Sequence, residues 1–174
     1  MAESFGTTHR RFVSYIDKSR EYYATQGYEV PYRWAKFDEV PFTPLPKPLA
    51  QSRIGLVTTA TLLAGDDAAP QSDGDPGDLV GSVHTGPTDP PPESLYTDNR
   101  SWDKDATHTN DTESFLPARR LQEYVEQGLL GSVSGRFYGV PTEYSQRRTL
   151  DRDAPEIAQL MRDDGVDVAM LVPL

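Results

Sequence analysis

A chain of 174 residues with 36% hydrophobic content has the length of one domain and a modest core. Its formal net charge of −10 at pH 7 argues against nucleic acid or an anionic membrane surface as partner, since both require a basic face. With no cysteine there is no disulfide, no thiolate metal site and no cysteine nucleophile, and no apolar stretch approaches the ~20 residues of a membrane-spanning helix.

Met1 to Phe5 lack the apolar segment of a signal peptide, so a cytoplasmic location is expected. Arg10 to Gln26 has helical periodicity. Phe12, Ile16 and Tyr23 share a stripe, Tyr15 joins it, and Gly27 is a natural stop. Pro31 to Pro48 interleaves Tyr32, Trp34, Phe37 and Phe42 with Pro41, Pro44, Pro46 and Pro48, which predicts an extended strap. Residues 1–50 are thus expected to form an N-terminal helix and strap, and residues 51–174 an α/β domain.

Arg53–Thr59 is the first predicted strand, short, apolar and β-branched. Ala60 to Ser114 follows as a long irregular span, and its segment 66–92, dense in Asp, Gly and Pro, is expected to be flexible. Pro117 to Gln127 predicts a helix with Pro in its first turn, Gly128 at its end, and Leu121, Tyr124 and Val125 facing inward. Leu129–Ser134 reads as a short second strand and Gly135 to Arg152 as a second long loop. Asp153 is expected to cap the next helix, with Glu156 three residues on, Ile157, Leu160 and Met161 inward, and Gly165 as the stop. Val166–Val172 is a nearly continuous apolar run, expected to be a strand buried on both faces at the centre of the sheet.

This alternation predicts an α/β fold. It would be a partial Rossmann-like three-layer domain whose short parallel sheet holds Arg53–Thr59, Leu129–Ser134 and Val166–Val172 as parallel neighbours. Ligands of such sheets gather beyond the carboxyl ends of the strands. Two loops are expected there, on the same edge as Pro173 and Leu174. The first, Asn99 to Asp111, carries Trp102, Asp103, Asp105, His108 and Asp111. His108 has the chemistry of a general acid or base, and Asp103, Asp105 and Asp111 are suited either to orient it or to bind a hard cation. The plainer alternative is a polar loop tied down by its own hydrogen bonds, and the spacing matches no fixed metal motif.

The second loop, Gly135 to Arg152, carries the segment Arg136 to Arg148. Arg136 is suited to clamp a carboxylate, and Tyr138 and Tyr144 to donate hydroxyls. The alternative leaves Arg147 and Arg148 solvated, with Glu143 paired to one of them. Thr58 and Thr59 close the first strand with hydroxyls that an anion would meet. The candidate set is therefore His108, Asp103 and Tyr144 for catalysis, with Thr58, Thr59, Trp102, Arg136, Tyr138 and Glu143 for substrate binding and no metal. Neither Gly-x-Gly-x-x-Gly nor Gly-x-Ser-x-Gly occurs, which disfavours a nucleotide cofactor and a serine nucleophile elbow.

Five blocks carry a resemblance: Arg53 to Ala60, Ser114 to Leu121, Gly128 to Val133, Ala154 to Ile157, and Asp164 to Pro173. In order and spacing they resemble the selenoprotein B subunit of the glycine, sarcosine, betaine and D-proline reductases, over roughly Pro41 to Leu174. Trp102 to His108 and Gly139 to Arg148 are similar to a bacterial subgroup of that family. The resemblance implies reductive cleavage of a C–N bond in a small amino-acid-like substrate. A selenocysteine or cysteine attacks the carbon beside an activated amine, and a thiol or selenol system supplies electrons. It further implies a partner reductase subunit, which in several members carries a pyruvoyl-type carbonyl cofactor, or a homo-oligomer.

In the family, the apolar strand leads directly into Cys-or-selenocysteine, Pro, any residue, Cys. Here Leu174 is the last residue. The expectation is that the nucleophile belongs at the next position, lost either to a selenocysteine codon read as a stop or to truncation, so that residues 1–174 are catalytically incomplete. An uncovered final strand would then leave an apolar patch at Val168, Met170 and Val172. Two other classes remain open: a non-catalytic subunit that binds a small carboxylate or serves assembly with a partner chain, and a thiol-independent lyase or hydrolase using His108 and an Asp.

Overall fold

The computed structural model describes residues 15–27, 35–40, 43–62, 82–96, 105–106, 108–141 and 145–174. The chain forms two compact units, Met1–Pro41 and Phe42–Leu174. In the first, helix α1 (Tyr15–Thr25) ends at Gly27, whose φ of +84° is the left-handed conformation that glycine adopts without a steric cost. Tyr22 and Tyr23 are exposed. Residues 35–40 and, in the second unit, 43–48 have neither helix nor strand and are exposed. Trp34 and the rest of the proline-rich stretch lie outside the described residues.

The second unit is built around β1 (Arg53–Thr58). Strands β2 (His84–Pro87), β3 (Ser132–Val133), β4 (Arg136–Gly139) and β5 (Val168–Val172) complete the sheet. β1 pairs parallel with β3 and β4 along one edge and with β5 along the other, and β2 pairs antiparallel with β4. The three segments expected as parallel neighbours therefore are so. Among the described residues, helices α2 (Ala118–Glu126), α3 (Gln146–Arg148) and α4 (Ala154–Asp163) accompany the sheet.

The alternation of side chains along β1 sorts the core into two layers. Ile54 and Leu56 meet Phe115, Leu116, Leu121, Leu130 and Phe137 on the face covered by α2. Val57 lies with Tyr138, Ile157 and Met161 on the face covered by α4. Gly55 also turns to that face. A Cβ there would stand 3.0 Å from Val166 and 3.1 Å from both Met161 and Tyr138, so the absent side chain is what lets α4 settle onto the sheet. The start of α2 is capped from outside the helix, because the Glu113 carboxylate accepts from the Arg119 and Arg120 amides at 3.2 and 3.0 Å.

Four expectations are corrected. First, β5 is an edge strand among the described residues rather than a central one, because the other flank of β1 is taken by β3 and β4. Met170 is 39% and Leu171 73% exposed, whereas Val168 and Val172 pack on the α2-side core. The apolar run thus reported composition, not position.

Second, Leu129 is exposed and the strand starts at Ser132. It breaks at Ser134-Gly135 and resumes as β4. Three steps along β1, from Ile54 to Val57, face five steps from Val133 to Tyr138, which is a bulge of two residues. Third, Asp153 does not cap a helix. Its φ of −68° and ψ of −44° are helical, and α3, the π-helical turn Thr149–Asp153 and α4 follow without a break. The cap is Ser145, whose Oγ accepts from the Arg148 amide at 3.3 Å. Fourth, the span expected to be flexible contains the regular strand β2.

Candidate functional site

Polar groups gather at both ends of the sheet, and the two clusters differ in character. At the carboxyl end, Thr59 stands just past β1 and Leu174 just past β5. The Thr59 hydroxyl accepts from the Leu174 amide at 2.8 Å and donates to the Leu174 carbonyl at 3.2 Å. One side chain therefore joins the two strand ends into a single lip. Thr58 is buried and its Oγ1 accepts from the Ala60 amide at 3.1 Å, which turns it inward to serve the chain's own bend.

His84 completes this edge from β2. It is in register with Gly139, and its imidazole lies directly over that glycine, in the volume a Cβ would occupy. The ring meets Phe137 edge-on, with centroids 6.3 Å apart. His84 Nε2 is 3.1 Å from the Ala60 carbonyl oxygen. A carbonyl only accepts, so Nε2 carries the hydrogen, and in the neutral ring the lone pair is then on Nδ1. The crossover from β1 leads to the β4 side of the sheet, and the crossover from β4 returns past β1 to β5. The winding reverses about β1, and the carboxyl ends of its neighbours border that reversal, which is where open α/β sheets bind ligands.

The amino end carries a salt-bridged cluster. Arg136 opens β4 and grips Asp164 with two bonds, Nε to Oδ2 at 2.7 Å and Nη2 to Oδ1 at 3.0 Å. The buried Tyr138 hydroxyl donates to Asp164 Oδ2 at 2.5 Å and lies 3.1 Å from Ser134 Oγ. Arg53 donates from Nη1 to the Asp164 carbonyl at 2.7 Å and from Nε to Ser132 Oγ at 3.2 Å. Next to it, Asp167 accepts from the Arg53 amide at 2.8 Å and pairs with Lys47 at 2.8 Å.

Each titration follows from these contacts. The Arg136 guanidinium, then the Tyr138 hydroxyl, hold the Asp164 carboxyl below the usual carboxylate range. Lys47, then the Arg53 amide, do the same for Asp167. Burial, then the hydrogen bond to Asp164, push the Tyr138 phenol up, and Asp164 raises Arg136 in turn.

Among the sequence candidates that are described, the structure brings only Thr58 and Thr59 to the carboxyl edge. Arg136 and Tyr138 are corrected to the other end. The second strand does not finish at Ser134 but bulges and resumes, so Arg136 begins a strand instead of leaving one, and the carboxylate it clamps is the chain's own Asp164. His108 is exposed, and its Nδ1 accepts from the Asn110 amide at 3.4 Å, the contact of a self-tied polar loop. Trp102, Asp103, Glu143 and Tyr144 lie outside the described residues.

Sequence reasoning missed His84, masked by the loop-like composition around it. It also missed Asp164, which looked like part of a helix stop. The available signal for His84 was the short alternation through His84-Thr85-Gly86 opposite the Phe137-Tyr138-Gly139 run. Comparison with protein-family models, with curated proteins and with solved structures finds no match for this chain. No helix among the described residues is long and apolar enough to cross a membrane.

Proposed function

We propose that this chain is the sheet-bearing part of a cytoplasmic, Rossmann-like, selenoprotein-B-like reductase. In this reading it holds a small amino-acid-like substrate at the carboxyl ends of β1 and β5. The observation that carries the proposal is the Thr59–Leu174 pair: the end of the block that resembles the family's nucleophile strand is fastened to the end of β1, beside a histidine with an available Nδ1.

The reaction class is reductive C–N cleavage. A thiolate or selenolate forms a bond to the carbon bearing the amine as the C–N bond breaks, and the amine departs with a proton. A second thiol then attacks the sulfur or selenium, the carbon leaves as C–H with a proton from solvent, and the two chalcogens end as a disulfide or selenenyl sulfide. The 174 residues contain no cysteine, so the thiol or selenol comes from outside them, and an amine-activating carbonyl group from a partner subunit. Within the chain, His84 is the group suited to hold and pass a proton, Ala60 fixes its tautomer, and Thr59 sets the spacing of the lip. His84 takes this role in place of His108, while Asp103 and Tyr144 lie outside the described residues.

A second reading, an assembly subunit completed by a partner chain, draws support from exposed Met170 and Leu171 on the outer strand. The two readings part on ligand binding. Titration of the isotope-labelled chain with N-methylglycine, trimethylglycine and glycine is expected to shift the amides of Thr59, Ala60, His84, Val140 and Leu174 saturably. Absence of any saturable shift at these residues, with all three compounds, would leave the assembly reading in its place.

A further inference from the structure

The bulge at the amino end of the sheet leaves an excess of donors around one hollow. Arg53, Ser134, Gly135, Arg136, Asp163 and Asp164 line an open cavity of ≈ 470 Å³. All of its side-chain acceptors but Asp163 Oδ2 are engaged among the described residues. Both Asp164 oxygens are bonded to Arg136, with Tyr138 adding to Oδ2, and Asp163 Oδ1 accepts from Gln159 at 2.8 Å. The Ser134 hydroxyl is paired with Tyr138.

The donors are not exhausted. Arg53 uses Nε and Nη1, and Arg136 uses Nε and Nη2, so Arg53 Nη2 and Arg136 Nη1 make no hydrogen bond among the described residues. The Gly135 carbonyl accepts from the Thr88 amide at 3.2 Å, but the Gly135 amide has no partner there, as expected for the extra residue of a bulge. Two guanidiniums are thus held in place by one aspartate, Arg136 through its carboxylate and Arg53 through its backbone carbonyl. Each keeps N–H groups to spare, beside an unpaired backbone N–H.

We infer that this hollow is a second ligand site, for a small oxyanion, either a carboxylate or a phosphate group. Guanidiniums match both through paired N–H···O bonds, and the bulge amide supplies a third donor. Asp163 and Asp164 balance the two arginines in charge, so binding rests on the spare N–H groups rather than on net charge, which sets the site for an anion of low charge. The site is at the opposite end of the sheet from the proposed substrate lip and is independent of it.

The test is an NMR titration of the intact chain with sodium phosphate and, separately, sodium acetate, at constant ionic strength made up with sodium chloride. Saturable shifts of the Gly135 amide and of the Arg53 and Arg136 Nε–H signals are expected. The anion that binds more tightly identifies the source of the oxyanion. Arg53→Gln, a change at an exposed side chain, should weaken binding about tenfold through loss of a charge-assisted bond. Asp164→Asn removes the competing carboxylate and should strengthen it, an effect that a purely structural ion pair does not predict. No saturable shift at Gly135 with either anion, or affinity unchanged in Arg53→Gln, would overturn the inference.

Discussion

Gly139→Ala is the substitution that should reveal how His84 is held. Exchanging glycine for alanine within a strand is ordinarily mild or favourable, since glycine weakens strands. Here the new Cβ falls inside the His84 imidazole, closest to Nε2, Cε1 and Cδ2. The ring must leave. Its departure abandons the bond to the Ala60 carbonyl in a fully buried residue, a loss of about 1–3 kcal/mol. It also gives up the edge contact with Phe137, worth about 0.5–1.5 kcal/mol. A destabilisation of about 2–4 kcal/mol follows.

The control is His84→Ala, which removes the obstacle and the same two contacts. In that background Gly139→Ala should cost under about 1 kcal/mol, so the two changes couple by roughly 2 kcal/mol in a double-mutant cycle. Urea unfolding of the four proteins, followed by circular dichroism, measures this directly. Additive costs, with Gly139→Ala equally damaging whether or not residue 84 is histidine, would refute the packing of the imidazole on Gly139 and with it the fixed tautomer.

Four further outcomes are expected. Asp164 and Asp167 are held low by Arg136 and Lys47, so their contributions to stability are present above the ordinary carboxylate value of about 3.9 and are lost as pH falls through the lowered folded values; the urea midpoint of the wild type should approach that of Asp164→Asn as pH drops from neutral toward 3. Tyr138→Phe should cost about 1–2 kcal/mol, since it strips a buried hydroxyl from Asp164 and Ser134. The Tyr138 phenol, raised in the folded state, should ionise only above about pH 10 in ultraviolet titration, and its contribution to stability should disappear as pH rises through that folded value. Thr59→Val should speed hydrogen exchange at the Leu174 amide while leaving the Val57 amide, deep in β1, protected.

The parts of the fold legible in the sequence were those where one local signal sufficed. β1 announced itself by apolar β-branched composition between breakers, and α2 and α4 by helical periodicity with a glycine stop. The parallel pairing followed from their alternation. The centrality of the last strand was not legible, because whether an apolar strand is flanked on both sides depends on what the rest of the chain does, and β3 and β4 had already taken that flank.

Nor was the bulge legible. Ser134-Gly135 looks the same whether a strand ends or merely skips, and that ambiguity moved Arg136 from one end of the sheet to the other. The same slip hid Asp164, whose clamp with Arg136 exists only once the two chain segments lie side by side. Thr58 and Thr59 were correctly placed at the end of β1, although the Thr58 hydroxyl turns inward to the Ala60 amide. His84, surrounded by glycine and proline-rich sequence, drew no attention because a strand of four residues carries little periodicity.

The most direct measurement is the side-chain nitrogen spectrum of His84, recorded with and without N-methylglycine. In the neutral imidazole of the free chain the Nε2–H tautomer is expected, held by the Ala60 carbonyl. Addition of N-methylglycine should move the His84 Nδ1 signal saturably and leave His108 unchanged. A His108 response with an unmoved His84 would contradict the assignment of the ligand edge to the carboxyl ends of β1 and β5.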